Sequence, residues 1–312
     1  MRIPFLAFAA LSVVPLQIGC DIEGLGGLSD RFREDFQYTY DLKPGGRLTV
    51  ENYNGPIEIL GWEKNTVQIT GTKYASRQDV LKDVKIEARA SGDLVSVRTV
   101  RPVMQWHGGA GAKYLIRVPR QVQLERISSS NGQIRVEDIQ GAARLDTSNG
   151  AIRLRMIEGR LDARTSNGAI EGDSLTGDVT LRTSNGGIRL DRVAGALDAT
   201  TSNGGIHIRL GKPKPNEPVK VGSSNGSIEL EVEALDNNEI RASSSNATIT
   251  LRLPAAIKAR LRASTSNSSI SSDFDVTTRG TMNKNHLEGE INGGGPLIDV
   301  STSNGHIRIL KF

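Results

Sequence analysis

The chain has 312 residues, enough for one large domain or two ordinary ones, with 37% hydrophobic residues, 4% aromatic residues and 34 glycines. That balance excludes a thick core built on aromatic side chains and favours the thin, elongated core of a repeat protein, which Ile, Leu, Val and Ala can fill. The net charge is +4, from 39 basic and 35 acidic residues interspersed along the chain, so there is no basic block of the kind that nucleic-acid binding requires.

At the start, Met1-Arg2 precede an uncharged run from Ile3 to Gly19, the pattern of a secretory signal peptide over residues 1–19. The run contains Pro4 and Pro15 and is short for a membrane span, which takes about 20 apolar residues. Cys20 is the only cysteine, so no disulfide can form within the chain. Leu16-Gln17-Ile18-Gly19-Cys20 resembles the lipobox of bacterial lipoproteins, in which a small residue precedes a cysteine that is lipidated and becomes the new N-terminus. Gly19 and Cys20 fit that pattern. Gln17 departs from it, because the leucine usual at that place stands one position earlier. The resemblance implies an exported cell-envelope protein that meets the membrane through an N-terminal lipid; an ordinary secretory signal with an incidental cysteine is the alternative. Residues 20–35, which include Gly24, Gly26 and Gly27, read as a flexible tether.

The body of the chain is a repeat. Asn131, Asn149, Asn167, Asn185 and Asn203 follow one another at a spacing of 18, Asn225, Asn246 and Asn267 at 22, 21 and 21, and Asn304 closes the series. Most stand in Thr/Ser-Ser-Asn-Gly, with Ala247 and Ser268 replacing the glycine in two units. Aligned on this motif, the units from Gly141, Gly159, Gly177 and Gly195 show fixed apolar columns: Ala143, Leu161, Val179, Leu197; Leu145, Ala163, Leu181, Ala199; Ile152, Ile170, Ile188, Ile206. Apolar and polar residues alternate on both sides of Asn-Gly, which is the period of a strand with one buried face. The parity changes at Asn-Gly, a pair that tolerates positive φ and marks a bend. A hairpin would pair strands within one unit and leave the recurring columns unexplained. Parallel stacking of successive units explains them, each column becoming a ladder with a step of about 4.8 Å. The fold class expected is therefore all-β, a parallel β-solenoid of 18- to 22-residue coils in a single domain over residues 36–312. Asparagines stacked in one column can exchange amide hydrogen bonds along it, so the column, with Asn54 at its head, reads as structural.

The same columns recur in Leu48-Thr-Val50-Glu-Asn52-Tyr-Asn54-Gly55-Pro-Ile57-Glu-Ile59, again at Ile127, Asn131, Ile134 and Val136, and in a last coil at Ile298, Val300, Asn304, Ile307 and Ile309. Two stretches interrupt them. Residues 63–120 hold irregular strand-like pieces and a polar connector from Ser76 to Lys82 with the makings of a short helix, and residues 273–296 form a loop or hairpin excursion containing Gly293-Gly294-Gly295. The run from Lys212 to Pro218 is a Pro-rich loop that lengthens one coil. With the early Gly46-Arg-Leu-Thr-Val-Glu-Asn-Tyr-Asn-Gly-Pro-Ile-Glu-Ile-Leu-Gly-Trp62, Tyr114-Leu-Ile-Arg-Val-Pro119 and the closing Asp299-Val-Ser-Thr-Ser-Asn-Gly-His-Ile-Arg-Ile309, the chain resembles the bacterial putative-adhesin family of β-strand-repeat domains, whose function is unknown. The resemblance implies a β-solenoid, exported or membrane-attached, with no established catalytic residues.

Catalytic motifs are sparse. His107, His207, His286 and His306 lie outside any nucleophile-elbow context, no Cys/His cluster has zinc spacing, and Gly108-Gly109-Ala-Gly111 lacks the Lys-Ser/Thr of a phosphate loop. No cofactor or metal is implied, and the expectation is a non-enzymatic structural or interaction module. The enzymatic rival is a carbohydrate-active β-helix of the polysaccharide lyase or hydrolase type, using Glu171, Asp173 and Asp191 in adjacent outward columns. Their neighbours Arg153, Arg155, Arg189 and Arg209 make them read as charge ladders instead. An ice-binding array on Thr147, Thr165, Thr183 and Thr201 is opposed by their inward parity. A protein or surface-polysaccharide partner would meet the irregular excursions or a sheet face. Trp106 has two readings, a partner contact beside His107 or a cap over an open coil end.

Overall fold

A computed structural model of the protein describes residues 31–101, 109–278 and 283–312. Cys20, Trp106 and His107 lie outside the described residues. The chain is an all-β, parallel solenoid, and the alternation read from sequence is the reason. In the coil that starts at Gly141, the strands Ala143–Thr147 and Ile152–Glu158 each turn one apolar side inwards. Between them Ser148-Asn149-Gly150 makes the bend. The next coil lies parallel and in register, Ala143 opposite Leu161, Leu145 opposite Ala163 and Ile152 opposite Ile170. Large and small residues complement each other across neighbouring columns: Ala143 accompanies Leu145, and Leu161 accompanies Ala163, all of them buried. That exchange keeps the volume of each layer nearly constant, as close packing requires. Gly172 replaces a large residue, and Leu175 and Leu190 fill its place; a Cβ there would come within 2.7 Å of Leu175 Cδ1. One continuous core runs from Leu42 to Ile309.

The second corner of the coil is made by a left-handed residue. Asp138, Met156, Ser174 and Arg192 occupy it in successive coils, all left-handed with φ between 51° and 60°. A glycine follows three residues later, as at Gly177 (φ 125°) and Gly195 (φ 120°). Later coils round this corner with longer loops and place Asn216 and Asn237 in the left-handed region. Those two asparagines hydrogen-bond to each other at 2.7 Å, and the neighbouring Asn238, fully buried, donates to the carbonyls of Lys214 and Glu217.

Both ends depart from a simple coil order. Near the N-terminus, Gly46–Glu51 pairs with Leu94–Val100 on one side and Val122–Ser129 on the other. Likewise Ile57–Trp62 lies between Ala110–Pro119 and Ile134–Gln140. Antiparallel strands then cover the outermost coil: Lys85–Ser91 on Leu94–Val100, and Thr66–Ala75 on Ala110–Pro119 with Phe32–Asp41 outside it. The last of these begins inside the stretch read as tether. The polar connector forms the helix Gln78–Asp83, whose Val80 and Leu81 pack with Ala75, Val84 and Ala110 in a small second core.

At the C-terminal end the structure corrects the expected order. The coil containing Asn304 is last in the chain but not last in the stack. Leu297–Thr302 lies between Ile240–Ser244 and Ala259–Thr265, and Ile307–Lys311 between Ile249–Leu253 and Ile270–Ser272. The physical reason is that the columns are alike in every coil, so register permits this coil at more than one level. The excursion before it folds as antiparallel strands: His286–Ile291 runs along Ala259–Thr265, and Val276–Thr278 lies outside it. Antiparallel strands thus flank both end coils, a cover that solenoid ends need against edge-to-edge aggregation.

The aromatic residues follow this division. All five tyrosines and Trp62 lie between Tyr38 and Tyr114, and no aromatic residue occurs from Leu115 to Asp273. Phe36 packs edge-on against Tyr114 at 5.4 Å, and the Tyr114 hydroxyl sits 2.5 Å from Thr99 Oγ1. Burial raises the Tyr114 pKa above the ordinary phenol value.

Met156 is the corner residue with the least reason to be left-handed, since its side chain is apolar and 42% exposed. Met156→Asn should therefore stabilise the fold by about 1 kcal/mol, the scale of the left-handed penalty that asparagine escapes. The check is a denaturant midpoint that rises with an unchanged slope.

Candidate functional site

Two surface systems follow from the stacking, a turn ladder and a charged sheet face. In the turn, each residue of Thr-Ser-Asn-Gly has a separate task. Thr183 is buried, donates its hydroxyl hydrogen to the carbonyl of Gly168 in the preceding coil (3.0 Å), and accepts the Gly186 N–H (3.2 Å). The carbonyl of Ser166 accepts the N–H groups of both Ser184 and Asn185. Asn185 Nδ2 donates to Asn167 Oδ1 at 2.6 Å. Gly186 lies so close to the coil beneath that a Cβ would stand 1.8 Å from the Gly168 carbonyl oxygen.

The amide contacts repeat in one direction along the column. Asn149 donates to Asn131, Asn167 to Asn149, Asn203 to Asn185, Asn225 to Asn203 and Asn246 to Asn225, at 2.6–2.7 Å. Asn304 then donates to Asn246, and Asn267 to Asn304, both at 2.7 Å. Asn54 is bonded differently: its Nδ2 donates to the carbonyl of Ala110 at 3.0 Å. The sequence reading missed the threonine stitch. Its signal was present, a hydroxyl at an inward position three residues before the glycine; Thr147, Thr165 and Thr201 make the same pair of bonds, so the column proposed for ice is buried and committed to the turn.

The charged face lies on the strands that follow the turn. Glu171 and Asp173 stand in adjacent outward columns, and Asp173 pairs in register with Asp191. Two carboxylates directly opposite each other repel. Arg192 resolves this through its left-handed backbone, pairing with Asp173, reaching Asp191 at 3.6 Å and donating to Ser174 Oγ at 3.1 Å. Arg153 binds Glu171 at 3.0 Å, and Arg209 binds Asp191 at 3.4 Å and Glu231 at 3.5 Å. Arg155 reaches Glu137 at 3.3 Å. An open groove runs over Gly172 between these groups and Arg189. Asp173 Oδ1 is buried there without a hydrogen-bond partner among the described residues. Farther along, Glu229 is held by Arg252 and His207, both at 3.2 Å. Desolvation opposes ionisation of Glu229, but hydrogen bonds from these two outweigh it and hold the pKa below the ordinary carboxylate value.

The pairing nearest to a nucleophile and base is elsewhere. Ser268 and Ser269 place their hydroxyls 2.9 and 3.1 Å from His306 Nδ1. Ser268 stands in the glycine column, which was the sequence signal. Among the described residues no carboxylate orients His306, as a nucleophile-activating base would need. Nor, among the described residues, does any group of three His, Cys, Asp or Glu side chains have the arrangement to hold a metal ion. No described helix is long and apolar enough to cross a membrane.

With this geometry in place, comparison with known proteins gives the family. The model of Toastrack DUF4097 matches residues 35–310. The chain belongs to this family. No curated protein matches it. Among solved structures, a putative adhesin from Parabacteroides distasonis is 9% identical over 89% of this chain and 97% of its own, with a TM-score of 0.38. A putative adhesin from Parabacteroides merdae is 7% identical over 89% and 96%, with a TM-score of 0.35. A putative cell adhesion protein from Clostridium sporogenes is 11% identical over 89% and 100%, with a TM-score of 0.28. The Toastrack chain is thus an all-β repeat protein of a family with unknown function.

The stitch predicts a specific sensitivity. Thr183→Val keeps the shape but strands the Gly186 N–H and the Gly168 carbonyl, and should lower stability by about 1–3 kcal/mol. The exposed Ser184→Ala should stay within about 0.5 kcal/mol. Urea unfolding of the two variants beside the parent checks both.

Proposed function

We propose that this Toastrack protein is a non-catalytic structural or interaction module of the bacterial cell envelope, with one repeat domain over residues 36–312, exported by residues 1–19 and anchored by lipid on Cys20. The observation that carries the reading is the state of the acidic groups. Glu171, Asp173 and Asp191 are each engaged by an arginine, Arg153, Arg192 and Arg209. A general acid or base must be free to exchange its proton with a substrate, whereas these side chains serve the register of neighbouring coils. The partner is a protein or a surface polysaccharide, which meets the irregular excursions, residues 63–120 with Trp106 and His107 and residues 273–296, or a sheet face. Family membership agrees with an interaction module and leaves the anchor to experiment.

Intact mass and detergent partitioning, measured for the protein expressed in a bacterial host beside Cys20→Ala, test the anchor. A diacyl or triacyl mass increment with detergent-phase partitioning is expected for the parent and its loss in the variant. A parent that is unmodified and aqueous removes the anchor.

A second reading, the carbohydrate-active enzyme, has one observation in its favour: Asp173 Oδ1 lies in the groove without a partner among the described residues. Combining Glu171→Gln, Asp173→Asn and Asp191→Asn separates the two. Reducing-end and unsaturated-product assays on acidic and neutral polysaccharides should give no turnover for parent or variant. Reproducible cleavage by the parent that the variant loses would establish the enzyme.

A further inference from the structure

The C-terminal coil, 297–311, is wedged between two coils that precede it in the chain. We infer that it is a separable insert, and that the chain has a second, shorter closure in which the coil of residues 259–272 stacks directly on that of residues 240–253.

Four observations lead there. First, the spacing from Asn246 to Asn267 is 21, the same as from Asn225 to Asn246. The latter pair occupies adjacent levels and shares an amide hydrogen bond. Asn267 instead reaches Asn246 only through Asn304. Second, the columns match without the insert. Ile240, Ala242, Ser244 and Ile249 have the inward places that Leu261, Ala263, Thr265 and Ile270 have two levels away.

Third, the connecting loop does not require the gap. Residues 254–258 join Leu253 to Ala259 across two levels, and the equally short 214–218 join Pro213 to Val219, whose coils are adjacent. Five residues can extend over roughly 16 Å, which suffices for a step of about 4.8 or about 9.6 Å. Fourth, the inserted arrangement is latched from outside the coil. Asn292, left-handed at φ 49°, donates to the carbonyls of Ala255 (3.2 Å) and Ile257 (2.7 Å) in that loop. Gly295 passes so near the loop that a Cβ would lie 2.4 Å from the Lys258 carbonyl oxygen.

Chain order supplies the direction. Residues 259–272 exist before 297–311 during synthesis, and the only matching open edge then available to them is that of 240–253. Stacking there hydrogen-bonds both strands and covers their apolar columns. Insertion later opens this contact and replaces it with two, burying Ile298, Val300, Ile307 and Ile309 completely. The short closure forms first, and the insert locks the finished stack. This rests on the register, loop and latch just described and is independent of the envelope reading.

Paired cysteines in the full-length chain, with Cys20→Ala, distinguish the two closures. Ser243 and Ser264 are each opposite Ser301 in the described stack. They are thus two levels apart, about 9.6 Å, beyond disulfide reach, whereas neighbours at about 4.8 Å are within it. Ser243→Cys/Ser264→Cys reports the short closure, and Ser243→Cys/Ser301→Cys the inserted one. Each variant is refolded from denaturant and oxidised at increasing delays. The 243/264 cross-link should form early and be lost in the fully folded protein, while the 243/301 cross-link should grow in as it disappears. Adding Asn292→Gly, which keeps the left-handed turn but removes the latch, should prolong the 243/264 phase. Cross-linking of 243/301 from the first structured species, with 243/264 silent at every delay, overturns the inference. So does equal cross-linking of both pairs in the folded protein.

Discussion

The stack depends on how closely one turn backbone lies on the next. At Gly150, Gly168, Gly186 and Gly204 any Cβ would stand within 2 Å of the carbonyl oxygen beneath. Only hydrogen at the α-carbon permits that approach, which sets the level of each turn relative to its neighbour. Once the level is set, the threonine hydroxyl, the serine carbonyl and the asparagine amide are within reach of partners one coil away. The turn therefore acts as the registration point, and the apolar columns follow it. Ala247 and Ser268 show that the column admits a side chain near the C-terminal end, where the insert interrupts the chain order.

Register then decides the electrostatics. A coil shifted by one residue would turn its charged side inwards. In the observed register, the arginines of this face lie beside carboxylates of neighbouring coils, Arg153 standing between Arg135 and Glu171, and among the described residues one direct acid–acid opposition, Asp173 with Asp191, needs a special device here. Arg192 provides it by adopting a backbone conformation that arginine otherwise avoids. The left-handed corner column thus has a chemical use at Arg192 and only a steric one at Met156.

Much of this was legible in the sequence. The columns, the bend at Asn-Gly and the parallel stacking follow from period-two patterning and turn chemistry, and the short helix near Gln78 from the polar connector that breaks that pattern. The interleaved ends were not legible, because periodicity identifies which coils are able to stack and is silent on which of them do. The same limit hid the position of Asn304 between Asn246 and Asn267. The threonine stitch was missed for a different reason: a buried hydroxyl in an alternating pattern looks like a tolerated core residue until its two partners, one from each of two coils, are seen. The pairing of His306 with Ser268 likewise joins residues 38 positions apart, brought together only by the insertion.

The distribution of aromatic rings has an optical consequence. Tyrosine and tryptophan absorb and emit in the near ultraviolet, and here the described ones lie only in the N-terminal cap. The long shaft from Leu115 to Asp273 is dark at those wavelengths. The fluorescence of Trp62 and the described tyrosines consequently follows that cap, while far-ultraviolet circular dichroism, dominated by the coils, follows the shaft. Two ordinary spectroscopic signals thus become reporters of two separate parts of one continuous stack, and any difference between their transitions measures how tightly cap and shaft melt together.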